Sequence, residues 1–138
     1  MRFIVLMLLA VVTSDAAADW VKVGSSYAPG HGYQFAYVDP STIHKSGGMV
    51  RMLDMFDYER SHDFFMPAGR ALKYLSKKGQ AEYDCKGKRW RQVKFSLYSG
   101  NMGKGNVVYA SKAMPGKWQT APPGTVFESR LILACGTK

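Results

Sequence analysis

Two cysteines set the tightest limit on what this chain can fold into. Cys85 ends the first strand of a stretch, Ala81 to Gly105, that reads as two strands joined by a tight basic turn and closed by a glycine-rich loop. Cys135 is the fourth residue from the C-terminus. Both follow an N-terminal segment that addresses the chain for export, and in an oxidising compartment such a pair forms a disulfide. Closing a loop of about fifty residues restricts the unfolded chain and stabilises the fold by ~4 kcal/mol on the chain-entropy account. The competing use, free thiols or metal ligands, finds no C-x-x-C and no Cys/His cluster beside either residue. The expected outcome is a C-terminal helix stapled onto a hairpin.

The address itself is residues 1–18. Arg2 supplies the positive start, Phe3 to Val12 is unbroken apolar sequence, and Ala16, Ala17 and Ala18 offer small residues before a cleavage that would leave Asp19 first. The apolar run of about ten residues is too short to span a bilayer, and no later segment reaches that length. No cysteine stands at the cleavage point, so no lipid anchor is expected there and the destination reads as periplasmic or secreted. Residues 19–138 are then expected to form one domain. Loss of Arg2 and Asp15 takes Lys+Arg from 19 to 18 and Asp+Glu from 10 to 9, so the net charge stays +9. That excess favours an anionic partner such as lipid head groups, cell-wall polymer, glycosaminoglycan or an acidic protein surface, although a merely solvated basic surface has the same charge.

Along the chain, Asp19 to Val23 alternates as a first strand and Gly24 to Gly32 reads as a loop. Tyr33 to Val38 is a second strand, stopped by Asp39-Pro40, with a short helical turn expected over Ser41 to His44. Met49 to Tyr58 is the longest apolar strand. It places Val50, Met52, Phe56 and Tyr58 on one face and Arg51, Leu53, Met55 and Asp57 on the other. Residues 59–70 read as a long irregular connection, Arg70 to Lys78 as a strand, and Gln80 to Cys85 as another. Arg89 to Tyr98 alternates cleanly. If the inward sets of these last two share a face, paired numbers must add to an even value. That selects a three-residue loop Lys86-Gly87-Lys88 with Cys85 opposite Arg89; a two-residue turn at Gly87-Lys88 is the competitor. Asn106 to Ser111 and Trp118 to Thr120 follow as short strands. Thr125 with Glu128 three residues on makes a capping box for a helix of about eleven residues. Its stripe is Phe127, Leu131, Ala134 and Cys135.

No catalytic signature survives inspection. Ser61, His62 and Asp63 are triad residue types, but neighbours on a chain do not converge as a triad must. Tyr74 and Lys78 lack the glycine-rich strand–helix turn of a dinucleotide enzyme. Gly100 to Gly105 lacks the Lys-Ser/Thr and the helix of a phosphate cradle. His31, His44 and His62 fall in three loops without ligand spacing. No enzyme, cofactor or metal is therefore expected. One constellation remains: Lys86, Lys88, Arg89, Trp90, Arg91 and Lys94, with Lys73, Lys77 and Lys78 near in sequence. Such basic, aromatic-punctuated patches bind polyanions, and lysines at a sheet edge also simply prevent aggregation. Export argues against nucleic acid.

Taken together, DWVKV at 19–23, YVDPSTI at 37–43, EYDC at 82–85, YSGNMGKGNVVY at 98–109, PPGTVFE at 122–128 and AC at 134–135 resemble the surface-adhesin protein E-like family of Gram-negative bacteria. The resemblance spans nearly all of Asp19 to Cys135. It implies an α+β fold, a curved antiparallel sheet of about six strands with a C-terminal helix tethered to one face by a disulfide matching Cys85 and Cys135. It also implies an adhesin, the family's namesake being an outer-surface lipoprotein that binds host matrix and serum proteins. This chain departs from that pattern in having no cysteine at the cleavage point, and no binding residues carry over. The leading expectation is an exported non-enzymatic binding module for a protein or an anionic polymer, with a homodimer left open. The alternative is a periplasmic inhibitor of a cell-wall enzyme such as lysozyme, with the Tyr98–Gly105 loop as its plug.

Overall fold

The computed structural model describes residues 19–136, so the leader expected over residues 1–18 lies outside the described residues. Seven strands and one helix follow in order: β1 (Val21–Ala28), β2 (Gly32–Ser46), β3 (Met49–Phe65), β4 (Ala71–Asp84), β5 (Arg89–Tyr98), β6 (Val107–Ala110), β7 (Gln119–Thr120) and α1 (Val126–Cys135). A single turn of 3₁₀ helix, Asn101–Gly103, lies between β5 and β6. The sheet is an antiparallel meander in the order β1-β2-β3-β4-β5-β6, and β7 pairs with β5 beside β6. It is an open sheet with a C-terminal helix on one face, the fold class that the cysteines and the family resemblance predict.

Several boundaries differ from the sequence reading, each for a backbone reason. Residues 24–28 continue β1 rather than forming a loop, because a bulge at Val23 resets the register and Gly24 to Ala28 then pair with Ala36 to Gly32. The expected helical turn at Ser41 to His44 is a bulge inside one long strand. The register jumps between Asp39 and His44, where Pro40 needs no ladder partner, and the Asp39 carboxylate accepts from the Ser41 backbone and hydroxyl. Residues 59–65 are the far part of β3 and not a connection: after an irregularity between Asp57 and His62, residues 62–65 pair with Tyr74 to Ala71.

The hairpin register is split. From Gln80 opposite Lys94 to Ser76 opposite Tyr98 it is the even-sum pairing the alternation predicts. Nearer the turn, a bulge at Val93 shifts it by one, so Asp84 faces Arg89 and Tyr83 faces Trp90. The turn therefore has four residues, Cys85 to Lys88, and neither the three-residue loop nor the two-residue alternative occurs. Its form follows from Asp84, whose carboxylate accepts from the Gly87 N–H at 3.0 Å, while Lys88 takes a left-handed φ of 51°.

The core lies between the sheet and α1. Val38, Val50, Met52, Ala81, Tyr83 and Trp90 meet Leu131 and Ala134, with Phe127 and both cysteines at the margin. Thr125 caps the helix, its hydroxyl accepting from the Glu128 N–H, and the Glu128 carboxylate reaches back to Gly124. Cys85 and Cys135 are bonded with their Cα atoms 5.6 Å apart. Gly24 makes room for the helix start, since a Cβ there would lie 2.7 Å from Val126 Cγ1.

One core feature has no counterpart in the sequence reading. Asp54 and Arg130, both buried, face each other between β3 and α1, Arg130 Nη1 lying 3.8 Å from Asp54 Oδ1. The guanidinium also lies 4.4 Å from the centre of the Phe56 ring. Burial pushes the Asp54 carboxyl up, and the charges of Arg130 and Lys77 oppose that. The signal was present: Asp54 belongs to the even-numbered inward set of β3, and Arg130 lies three residues after Phe127 and four before Ala134.

Candidate functional site

The face of the sheet away from α1 carries charge in rows. Register puts His44, Arg51, Glu82 and Arg91 side by side across β2 to β5. Glu82 is the anion of the row: Arg91 Nη2 donates to its Oε1 at 2.6 Å and Arg51 Nε to its Oε2 at 3.0 Å. Burial would raise the Glu82 carboxyl, but the hydrogen bonds and charges of Arg91 and Arg51 outweigh it and hold the group below its ordinary value. In the next row Asp84 pairs with Arg89, whose Nε donates to its Oδ2 at 2.8 Å. The Gly87 N–H and Arg89 lower this carboxyl too. Over both arginines lies Trp118, 4.5 Å from the Arg89 guanidinium and 4.3 Å from that of Arg91, brought there by β7. Carboxylate on one side and indole on the other fix the two guanidinium planes.

Of the six residues expected in the basic patch, five lie on this face or in the turn beside it and one does not. Trp90 points to the opposite face, is 9% exposed and stacks on Phe127 at 4.8 Å with planes 6° apart. Alternation along β5 forces this: neighbours of Arg89 and Arg91 must face the core. Trp118, not singled out from the sequence, supplies the aromatic instead. Lys86, Lys88 and Lys94 are exposed, and among the described residues no carboxylate pairs with them. The bulge at Val93 keeps Lys94 on the same face as Arg91, because Lys94 pairs with Gln80 and Gln80 with Leu53.

The three nearby lysines separate. Lys73 pairs with Asp63 at 3.1 Å, and Lys77 turns to the helix side, 4.6 Å from the centre of the Phe95 ring. Lys78 stays on the helix-free face, 5.1 Å from the Tyr98 ring and 6.0 Å from that of Trp20. With Gln80, Lys94 and Ser96 these line a shallow depression of about 230 Å³.

The histidines do not stay apart as their loops suggested. Extension of β3 carries His62 to a ring distance of 5.5 Å from His31 and 4.1 Å from Tyr58. Partial burial, then the His31 charge, lower the His62 imidazole, against the pull of Asp63. Among the described residues no group of three or more His, Cys, Asp or Glu is placed to hold a metal ion. The Gly100–Gly105 loop is tied down. Asn101 Nδ2 and the Met102 N–H donate to Asp57 Oδ1, Gly103 N–H donates to Ser76 Oγ, and that hydroxyl donates to the Gly100 carbonyl. It lies along β3 and β4 rather than projecting as a plug.

Among curated proteins none matches this chain at a significant level. Its fold is similar to that of Haemophilus influenzae protein E. Crystal form II of that protein matches at a TM-score of 0.56 and 14% identity, over 72% of this chain and 79% of the other. The protein E structure from non-typeable H. influenzae matches at 0.55 and 14%, over 88% and 79%. Among the described residues no helix is long and apolar enough to cross a membrane. Residues 20–136 match the family described as surface-adhesin protein E, and this chain belongs to that family.

Proposed function

We propose that this chain is an exported, adhesin-like, non-enzymatic binding module. Its helix-free face and the adjoining turn engage an acidic protein surface or an anionic polymer. The observation that carries the reading is the state of the cations: Lys86, Lys88 and Lys94 stand exposed, without carboxylate partners among the described residues, beside two guanidinium groups held rigid under Trp118. Held charges lose little side-chain freedom on binding, and free ones steer an anionic partner inward. Family membership supports adhesion, and the apolar leader expected over residues 1–18 supports export.

The test is capture of matrix and periplasmic proteins, and of immobilised heparin as a model polyanion, by the processed chain and by K86E/K88E/K94E. All three positions are exposed, so the fold is expected to survive the reversals. Binding is expected to weaken steeply with salt, as exposed charges are screened within ~10 Å at 0.1 M, and to fall with the triple reversal. Salt-insensitive binding, unchanged by the reversal, overturns the reading.

A further inference from the structure

The two edges of the sheet are treated differently. The β5 edge is closed. β6 and β7 cover its ends with four and two residues, and between them Ser111, Met114 and Gly116 donate backbone hydrogen bonds to Phe95, Val93 and Gln92. Lys112 and Pro115 sit in that connection, and Pro122-Pro123 follows β7. Short strands, lysine and proline are the usual means of blocking further strand pairing. The β1 edge has few of them. Six of its eight residues are exposed, it contains no proline, and Lys22 is its single charge. Among the described residues β1 pairs with β2 alone. After the bulge at Val23, Gly24 to Ala28 form an unbroken ladder whose outward N–H and C=O groups have no strand partner among the described residues.

At the Val23 end of this edge, β1 and the flank of α1 border a wide, open groove of about 560 Å³ lined by Val23, Ser129, Ile132, Leu133 and Gly136. Ile132 is 46% exposed, an apolar side chain on the helix side that does not face the sheet. A free strand edge next to a helix-walled apolar groove is the arrangement by which folded domains take up an extended peptide. Main-chain hydrogen bonds give affinity, and alternate side chains enter the groove.

We infer that the β1 edge and the β1–α1 groove form a strand-addition site for an extended peptide segment that is apolar at every second position and acidic overall. The acidity follows from charge: the chain carries +9. An acidic strand is attracted to it, whereas a second copy adding edge to edge would bring two such charges together. This site is separate from the basic turn, on the first strand of the sheet rather than the fifth.

The probe is a blocked nonapeptide alternating valine with glutamate, titrated into the oxidised, processed chain and followed by amide chemical shifts and hydrogen exchange. Shift changes and new protection are expected over Val21–Ala28 and on the Ile132 side of α1. Ile132→Glu should weaken binding about tenfold or more, the weight of one apolar side chain. Ile132→Val should keep it, and K86E/K88E, which takes the net charge from +9 to +5, should weaken it far less than Ile132→Glu does. Proline placed in turn at Ser25 and Ser26 separates outward from inward N–H groups: one variant should fold normally and lose the peptide. No shifts at β1, shifts that track the basic turn, or β1 protection that grows with protein concentration in the absence of peptide would each overturn the proposal.

Discussion

Replacing both Cys85 and Cys135 by alanine measures what the disulfide does for the helix. The bridge spans a sequence separation of 50. On the chain-entropy relation a loop of that length removes about 14 cal/mol/K from the unfolded chain, or ~4 kcal/mol near room temperature. For a domain whose whole stability is of order 5–15 kcal/mol that is a large share. At a urea slope of about 1–3 kcal/mol/M the midpoint should fall by at least ~1.3 M. The helix has its own reporter, because Trp90 is 9% exposed and stacks on Phe127, whereas Trp20 and Trp118 lie on the other face. A helix of ten residues is marginal alone, so it should loosen before the sheet. Near-ultraviolet dichroism and a red shift of the Trp90 emission should therefore precede loss of strand signal. A loss below about 1 kcal/mol, with Trp90 emission unmoved until the sheet melts, would show that packing alone holds the helix.

Other substitutions probe separate joints. Gly24→Val forces side-chain atoms onto Val126 and should cost about 1–3 kcal/mol, with partial rescue by Val126→Ala; equal losses in the single and double variants would place the strain elsewhere. Glu82→Gln tests the charged row. Because the folded carboxyl is held below its ordinary 4.5, its contribution is full above that value and is lost as pH falls through the lower folded one. The gap between parent and variant in thermal midpoint should therefore close on acidification below pH 4.5. A gap constant from pH 7 to pH 3 would mean that Glu82 acts by shape and not by charge.

Local rules made much of the molecule legible. Period-two alternation marks Arg89 to Tyr98, the Thr125–Glu128 spacing marks the start of α1, and two cysteines in an exported chain imply their bond. The basic members of the patch were also readable, since charge is a property of composition. Errors gathered where backbone hydrogen bonds, not side-chain pattern, decide the path. Gly24 to Ala28 read as a loop, Ser41 to His44 as a helical turn and residues 59–65 as part of a long connection, yet all belong to long strands, because a bulge absorbs the irregular residues and pairing resumes beyond it.

By itself, then, the sequence determined the class of fold, the staple and the sign of the charge, all of which depend on residue types at short spacing. Tertiary structure decided which cations stay unpaired among the described residues, because that depends on carboxylates such as Glu82 and Asp84 arriving from a neighbouring strand. It moved Trp90 into the core and put Trp118 in its place, and it paired Asp54 with Arg130 across 76 positions of sequence. Among the described residues it also left one sheet edge unpaired and closed the other. Those outcomes depend on which strands become neighbours and where the bulges fall, which hydrogen bonds between distant segments settle only once the sheet has formed.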